Sequence, residues 1–239
     1  MRPLISVVIP TRNVVGTLDA CLESLMQQSF QNFEIWVLDA CSTDGTLEVI
    51  ESYKRKVGTD IKCVSSPDDG VYDAMNRGIA LASGEWLYFL GADDRLADPE
   101  VFCDVSRTLA KECADLVYGD VVLKSDGRRF CGKSSRTRLV LDRNISHQAI
   151  FYHHSLFKRV GSFDLSYPIW ADWDLNIRCF KLPGARCHWL DREIAVYNDL
   201  SGISYQLDEE FRKRLPVAPL RWVGRAFYSL YQQQKLVGS

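Results

Sequence analysis

The sequence predicts an α/β fold built on a doubly wound, mostly parallel sheet. Two observations carry this prediction. Short runs of β-branched and aromatic residues alternate with segments whose apolar residues recur at helical spacing, which is the pattern of parallel strands joined by helical crossovers. Polar or acidic residues also follow directly after four successive apolar runs. In such a sheet these positions meet at one edge, beyond the carboxyl ends of the strands, where ligands bind.

The first half of the chain supplies the parallel strands and their helices. The predicted strands are residues 4–9, 33–38, 61–64 and 86–90. The first helix is expected to begin near Thr17, a candidate N-cap, and the third to span residues 72–82. The helix faces expected to pack on the sheet carry Leu18, Cys21, Leu22, Leu25 and Met26 in the first helix, and Leu47, Ile50 and Tyr53 in the second.

The second half changes pattern and predicts a smaller antiparallel region. A helix is expected to start at Asp98-Pro99, with Pro99 at its first position. Asp126-Gly127 marks a hairpin turn between a strand at 116–123 and a return strand from 129. The remaining predicted elements are a strand at 149–152, a short helix ending near Gly161, a helix at 170–180 and a strand at 188–197. One domain spanning residues 1–205 is therefore expected.

Composition excludes several classes of protein. A chain of 239 residues with 46% hydrophobic content can bury a sizeable core, and its formal net charge of -2 argues against a general nucleic-acid binder. The eight cysteines form no C-x-x-C pair, so we expect no zinc site and interpret them as reduced, mostly buried small side chains. The first predicted strand starts too early to leave room for a signal peptide, and no apolar run reaches the length of a membrane span. We therefore predict a cytoplasmic protein.

The segment 206–239 differs from the rest because basic residues are interleaved with aromatic and aliphatic ones. A basic amphipathic segment of this kind can lie on an anionic membrane surface, which would place the protein peripherally on the inner face of the cytoplasmic membrane. It can equally pack its apolar side on the domain or on a partner chain. The sequence leaves both interpretations open.

Paired carboxylates follow the fourth apolar run. Asp93 and Asp94 repel each other and are costly to desolvate, so a divalent cation is an obvious compensating partner. An acidic pair can also cap the next helix or lie in a solvated loop. The other strand ends carry polar residues as well, and four such ends at one edge favour a shared site. They are residues 11–13, Asp39 and Asp68-Asp69.

Four segments, residues 7–13, 38–46, 68–78 and 89–94, resemble the ordered motifs of the family 2 glycosyltransferases of the GT-A fold. The resemblance extends over roughly residues 4–205 and is strongest to bacterial enzymes of exopolysaccharide, colanic-acid or O-antigen assembly. It implies a Rossmann-like nucleotide-sugar half at 1–97 and an acceptor and catalytic half at 98–205. It also implies a nucleotide-sugar donor (most often a UDP-sugar), Mn²⁺ or Mg²⁺, inversion at the anomeric carbon and an acceptor that is a glycan, in this setting lipid-linked.

The same resemblance assigns residues of the donor site. The resemblance implies that Asp39 accepts hydrogen bonds from the nucleobase and that Asp68 contacts the nucleotide or donor. It also implies that Arg77 approaches the phosphates, although Arg77 can equally be a structural partner of a nearby acid. Gly91 stands where the family often has Asp or Asn, which leaves open whether Asp93 or Asp94 coordinates the metal. The remaining residues assigned to the nucleotide and donor pocket are Pro10, Thr11, Asn13 and Ala92.

On the acceptor side, Asp172 resembles the base of the family's Glu-Asp motif, although Ala171 replaces the first acid. A carboxylate opposite the leaving group can accept the proton of the acceptor hydroxyl. Asp174 is the alternative base, or a charge that stabilises a helix N-terminus. His147 matches a family pattern near the pocket but is as readily structural. The two tryptophans beside the motif stack on a sugar or pack in the core, and they are Trp170 and Trp173.

Two other functions remain as alternatives. A nucleotidyltransferase also combines an α/β sheet with metal-binding carboxylates, but the chain lacks an early Gly-rich loop with Lys or Arg to hold a triphosphate. A catalytically silent sugar-nucleotide binder of a polysaccharide assembly complex is the third hypothesis. Turnover with release of UDP distinguishes the glycosyltransferase from both.

Overall fold

The computed structural model describes residues 2–55, 60–200 and 208–214. All strands in these residues belong to one mixed sheet flanked by helices. The strands are β1 Ile5–Thr11, β2 Phe33–Asp39, β3 Ile61–Ser65, β4 Trp86–Phe89, β5 Arg95–Leu96, β6 Leu116–Leu123, β7 Arg129–Phe130, β8 Ile150–His153 and β9 Cys187–Tyr197. The helices are α1 Leu18–Met26, α2 Thr46–Lys54, α3 Val71–Leu81, α4 Val101–Lys111, α5 Arg136–Leu141, α6 His154–Val160, α7 Ala171–Lys181 and α8 Glu209–Arg214, and a 3₁₀ turn spans His147–Ala149.

The first four strands form the predicted parallel part of the sheet. Their order is β3-β2-β1-β4, with β1 parallel to both β2 and β4. Thr11 at the end of β1 is in register with Asp39 at the end of β2, and Asp39 is in register with Ser65 at the end of β3. The loop that holds Asp93 and Asp94 follows β4, beside β1. The predicted meeting of polar strand ends at one edge is therefore confirmed for the strands themselves.

The second half of the chain extends the same sheet with mixed strand directions. Strand β8 is antiparallel to both β4 and β6, and β9 is parallel to β6. The hairpin strand β7 pairs with β6. The short strand β5 comes from the first half but pairs antiparallel with β9, through Arg95↔Val196 and Leu96↔Ala195. This pairing brings the end of β9 to the loop after β4, and the mostly parallel α/β fold with an antiparallel part is confirmed.

Helices cover the sheet with apolar faces. The predicted face of α1 is confirmed, because Leu18, Cys21, Leu22 and Leu25 are fully buried. A Cβ atom at Gly78 in α3 would lie 2.3 Å from a methyl carbon of Val8 on β1, so this glycine allows the helix to lie close to the strand. Close packing of α3 fixes the helix that carries Tyr72 and Arg77 relative to the strand ends.

Several local expectations are wrong in detail. Thr17 precedes α1, but its hydroxyl donates to the carbonyl of Val14 and makes no capping bond. Helix α4 begins at Val101, because residues 97–100 form turns in which Asp98 accepts from the backbone of Glu100. The sequence patterns predict neither β5 nor α5. Both are short, and β5 gains its hydrogen bonds only from the distant strand β9.

The cysteines and the C-terminal segment differ from expectation in part. All eight cysteines are free, but only Cys21, Cys131 and Cys179 are buried, so the expectation that most are buried is wrong. None of the helices in the described residues has the length and apolar character needed to cross a bilayer. Of the segment 206–239, residues 208–214 are described and carry α8. The amphipathic pattern from residue 215 onward lies outside the described residues.

Candidate active site

The loop after β4 is a tight turn closed by the backbone N–H of Asp94 donating to the carbonyl of Gly91 at 3.0 Å. A Cβ atom at Gly91 would lie 2.4 Å from Asp94 Oδ2 and 3.1 Å from Asp93 Oδ1. The turn thus folds both carboxylates back over residue 91, where only glycine fits without displacing them. The departure of this chain from the Asp or Asn of the resembling motif therefore has a steric reason.

The two carboxylates have different surroundings. Asp94 is 3% exposed, and its oxygens accept from Gln148 Nε2 at 2.7 Å and from the backbone of Asn198 at 2.7 Å. Burial and the neighbouring Asp93 raise the pKa of Asp94 to about 6. Asp93 is half-buried, and its Oδ2 accepts from Asn198 Nδ2 at 2.9 Å. Asp94 therefore holds the loop together, whereas Asp93 remains partly exposed to solvent.

The donor set of this loop fits Mg²⁺ or Mn²⁺ shared with a substrate. The described residues contain no cluster of three or more Asp, Glu, His or Cys side chains that could hold a metal ion. A Mg²⁺-like ion, however, is commonly held by one or two carboxylates together with substrate phosphates and water. Asp93, supported by Asp94, provides such a partial set. The residues present thus fit an ion that is completed by a diphosphate.

Asp39 ties three strand ends together. Its side chain is fully buried, and its carboxylate accepts from Ser42 and Ser65 hydroxyls at 2.5 Å each and from Thr11 Oγ1 at 3.4 Å. The backbone N–H of Ser42 donates to the same carboxylate at 3.1 Å. These bonds give Asp39 a structural role at this edge of the sheet, and its contact with a nucleobase stays a prediction.

The other predicted donor-site residues lie along the same edge. Asn13, at a positive φ of 52°, accepts from the backbone of Thr43 at 2.9 Å, which joins the loops after β1 and β2. Asp68 accepts from the backbone of Gly70 at 3.0 Å, just before α3. Arg77 donates to Ser66 Oγ and to the carbonyl of Pro67, so its guanidinium braces the loop after β3. Pro10 lies within β1, and Ala92 is buried in the turn after β4.

Asp172 lies in the first turn of α7 and is 8% exposed. Its Oδ1 accepts from Tyr72 Oη at 3.1 Å, and its Oδ2 accepts from Asn144 Nδ2 at 3.0 Å. His147 Nδ1 lies 3.4 Å from the same Oδ2. Burial and the Asp172 charge raise the pKa of Tyr72 well above its usual value, so Tyr72 is a neutral donor toward this carboxylate. Asp174 instead pairs with Arg178 at 2.7 Å.

Two consecutive residues connect the two acidic centres. His147 contacts Asp172, and Gln148 donates to Asp94. Both lie in the 3₁₀ turn before β8, the strand that pairs with β4. The acid after β4 and the acid on α7 are therefore held from one short turn, which brings the loop of Asp93 and Asp94 and the side chain of Asp172 to the same site.

The tryptophans beside Asp172 belong to an aromatic cluster with α8. The rings of Trp170 and Trp173 lie 5.6 Å and 5.4 Å from the ring of Phe211, and Trp173 Nε1 donates to the carbonyl of Leu139 at 2.7 Å. The buried carboxylate of Asp208 accepts from the backbone of both Ile169 and Trp170 at 2.9 Å. Both rings therefore have packing partners, and stacking on a sugar stays a prediction.

Five residues that hold the site together are not predicted from the sequence. Tyr72 lies in one of the four segments that carry the family resemblance, and Gln148 directly follows His147, but a motif does not reveal which neighbour each side chain contacts. The other three have no local signal, because their partners are distant in sequence. Asn198, for example, binds acids that lie 104 and 105 positions earlier. The distant contributors are Asn144, Asn198 and Asp208.

The chain is similar to known glycosyltransferases in sequence. Residues 6–166 match the model of the family described as glycosyl transferase family 2. A PGL/p-HBAD biosynthesis glycosyltransferase of Mycobacterium tuberculosis is 43% identical over 218 residues, covering 90% of this chain and 85% of the relative. The uncharacterized glycosyltransferase EpsJ of Bacillus subtilis is 25% identical over 237 residues, and the match covers 90% of this chain and 68% of EpsJ.

Solved structures share the fold. S. aureus TarS 1-349 in complex with UDP-GlcNAc superposes with a TM-score of 0.69 at 21% identity, over 87% of this chain and 64% of that one. The mannosyltransferase PcManGT of Pyrobaculum calidifontis, in complex with GDP-Man and Mn²⁺, gives a TM-score of 0.67 at 19% identity, over 86% and 59%. At these identities the likeness concerns the fold, and this chain spans less than two thirds of either protein.

Proposed function

The chain belongs to glycosyl transferase family 2, and from this premise we propose that it transfers a sugar from a UDP-sugar to a hydroxyl of a glycan acceptor, with inversion at the anomeric carbon. The observation that carries the proposal is the turn at His147 and Gln148, which holds Asp172 beside the loop of Asp93 and Asp94. In this proposal Asp172 is the base for the acceptor hydroxyl, and Asp93 and Asp94 would hold the metal ion of the diphosphate.

In this mechanism the acceptor oxygen attacks the anomeric carbon and forms the new glycosidic bond. The bond from that carbon to the diphosphate oxygen breaks, and its electron pair leaves with the nucleoside diphosphate. The acceptor proton passes to Asp172, whose carboxylate is oriented by Tyr72 and Asn144. A bound Mg²⁺ or Mn²⁺ supplies positive charge to the departing diphosphate, and Asp93, supported by Asp94, would hold it.

The strand-end loops serve the donor. The network around Asp39 fixes the loops after β1, β2 and β3 in one arrangement, and Arg77 braces the last of them. The fold neighbours that hold UDP-GlcNAc and GDP-Man support a nucleotide-sugar at this edge. The uridine nucleotide is proposed from the family resemblance together with the TarS complexes.

The test is release of nucleoside diphosphate by the purified full chain with a panel of UDP-, GDP- and dTDP-sugars, with Mn²⁺ and after chelation. We expect UDP release that depends on the metal. Asp172→Asn should keep UDP-sugar binding and lose turnover by several orders of magnitude, since an inverting transfer has one base. Asp174→Asn is the matched control, because it makes the same change two residues away in a residue paired with Arg178.

Each alternative makes a different forecast in this assay. A silent sugar-nucleotide binder shows saturable binding of the donor without turnover, and a nucleotidyltransferase releases pyrophosphate from a nucleoside triphosphate. Wild-type turnover in Asp172→Asn would show that Asp172 is not the base. Metal-independent turnover would show that Asp93 and Asp94 do not hold a metal ion needed for the transfer.

For the acceptor, the proposal includes a lipid-linked glycan of bacterial surface polysaccharide and peripheral attachment to the inner face of the membrane. The basic amphipathic pattern beyond residue 214 supports it. Truncation after Arg214 keeps Phe211 and its aromatic cluster, so it isolates the segment. We expect the truncated chain to lose co-sedimentation with phosphatidylglycerol vesicles while keeping donor hydrolysis. Unchanged co-sedimentation would contradict membrane attachment by this segment.

A further inference from the structure

An open pocket of about 420 Å³ lies in the second half of the chain, outside the site described above. Its walls come from β6, the return strand β7, helix α5 and the start of β9. The volume falls within the range of small-molecule sites, roughly 300–1,000 Å³. The proposed mechanism assigns no role to the residues that line this pocket. The side chains that define its chemistry are Asp120, Arg129, Arg138, Arg143, Trp189 and Asp191.

One part of the lining presents more carboxylates than guanidinium groups. Arg129 Nε lies 2.6 Å from Asp120 Oδ2, and its Nη2 lies 2.5 Å from Asp191 Oδ1. Asp120 is buried and also accepts from the backbone of Gly132. Two acids therefore face one arginine, which leaves hydrogen-bond acceptors and one excess negative charge here.

Another part has the opposite balance. Arg138 and Arg143 share one carboxylate, that of Asp142, with their Nε atoms 3.3 Å and 3.1 Å from its Oδ2. The guanidinium of Arg143 lies 5.6 Å from the ring of Phe130. Among the described residues, the terminal nitrogens of Arg143 have no hydrogen-bond partner. Donors and one excess positive charge are therefore available here.

Taken together these charges cancel, and the pocket combines donors, acceptors and the indole of Trp189. Sugar hydroxyls both donate and accept hydrogen bonds, and the apolar face of a pyranose packs on an aromatic ring. A phosphate or carboxylate would instead meet the excess acid at Asp120 and Asp191. We propose that the pocket is a subsite for a neutral pyranose of the acceptor glycan. The assignment to the acceptor rests on the proposed function.

The position of the pocket agrees with this role. Arg143 in its lining directly precedes Asn144, which donates to Asp172 at 3.0 Å. Cys131, also in the lining, lies 3.5 Å from the backbone nitrogen of Ser146, which precedes His147. The short segment 143–147 thus borders the pocket on one side and holds the base on the other. A sugar in the pocket belongs to a glycan whose next unit lies toward Asp172.

The experiment titrates the full chain with the methyl α- and β-pyranosides of glucose, galactose, mannose and rhamnose, and separately with inorganic phosphate and methyl glucuronide. Binding is followed by tryptophan fluorescence, and UDP release from a UDP-sugar is measured with each glycoside. Arg143→Ala removes a surface side chain at the pocket. Arg107→Ala is the matched control, because Arg107 is exposed on α4 and pairs only with Asp104 among the described residues.

We expect at least one neutral pyranoside to quench the fluorescence of the wild type saturably. Arg143→Ala should weaken that binding roughly tenfold or more, the cost of a charged hydrogen bond, whereas Arg107→Ala should not. Trp189→Phe should remove the quenching. The KM for an active glycoside should rise in Arg143→Ala and stay at the wild-type value in Arg107→Ala.

Several outcomes would contradict the proposal of a pyranose subsite. They are binding of no neutral pyranoside, binding of the anions alone, or equal behaviour of the two arginine variants. Failure of the proposed function is recognised separately, because it removes UDP release from the wild type but leaves the fluorescence titration intact. Pyranoside binding without UDP release would thus place a sugar site on a chain that is not the proposed transferase.

Discussion

The phenolic oxygen of Tyr72 lies 3.1 Å from Asp172 Oδ1 and 2.6 Å from the carbonyl oxygen of Ile169. Tyr72 belongs to α3 in the first half of the chain, and Asp172 belongs to α7 in the second half, 100 residues later. One hydroxyl proton is thus shared between the proposed base and the backbone that leads into its helix. The contact orients the carboxylate of Asp172 from helix α3.

Tyr72→Phe should therefore lower kcat by roughly tenfold or more, because a carboxylate loses a hydrogen bond that orients it. The KM for the donor should change little, and packing on Phe163 is retained by the phenyl ring. UDP release and donor titration measure the two quantities. Tyr53→Phe is the matched control, since its hydroxyl bonds Asp19 and Glu23, away from the site. Equal losses in both variants would assign the effect to stability.

Substitutions of Asp93 and Asp94 should have different effects, the first on the metal requirement and the second on stability. Asp93→Asn should leave the melting temperature nearly unchanged but raise the Mn²⁺ concentration for half-maximal activity about tenfold or more, because the half-buried carboxylate proposed to hold the ion loses its charge. Asp94→Ala should lower the melting temperature, because Gln148 Nε2 and the backbone of Asn198 then lose their acceptor. Metal titrations and thermal unfolding of both variants provide the check. The reverse assignment would follow if Asp94→Ala changed only the metal requirement.

The parallel half of the fold could be predicted from sequence because each strand and helix there follows from a local pattern. The motifs also identified Asp39 and Asp93, which lie at the ends of strands on either side of β1, and Asp172, which is connected to Asp94 through the turn at His147 and Gln148. Sequence could not reveal which side chains hold Asp94 and Asp172, because those side chains come from distant elements. Asn198 reaches Asp94 only because β5 pairs with β9, and a two-residue strand has no periodicity to detect.

Asp208 should act as a positioning residue. Its Oδ2 accepts the backbone N–H groups of Ile169 and Trp170, and its Oδ1 accepts that of Phe211 at 3.0 Å. Asp208→Asn replaces one acceptor oxygen with a donor, so the entry to α7 should loosen and kcat should fall several-fold with little change in the KM for the donor. Steady-state kinetics and the melting temperature are compared with Asp115→Asn, a partly buried acid just before β6 that accepts from the backbone of Arg186 and from the guanidinium of Arg159. A matching kcat loss in Asp115→Asn would argue against positioning.

Glu34 on β2 predicts how stability depends on pH. Burial alone would raise its pKa, but hydrogen bonds from Lys62, Ser6 and Ser83 outweigh burial and lower the pKa from 4.5 to about 2. A folded-state pKa below the unfolded value means that the ionised form favours folding. This contribution is complete above pH 4.5 and is lost as the pH falls toward 2, and a shift of this size corresponds to about 3 kcal/mol at most.

Glu34→Gln should therefore destabilise the chain most at neutral pH, and the difference in the free energy of unfolding from the wild type should shrink as the pH falls from 4.5 to 2. Urea unfolding at a series of pH values measures this difference directly. Glu51→Gln is the control, because Glu51 is exposed and its ion pair with Lys54 lies on the surface of α2, where such pairs contribute little. A difference between wild type and Glu34→Gln that stays constant over this pH range would show that the carboxylate is not held ionised by its four hydrogen bonds.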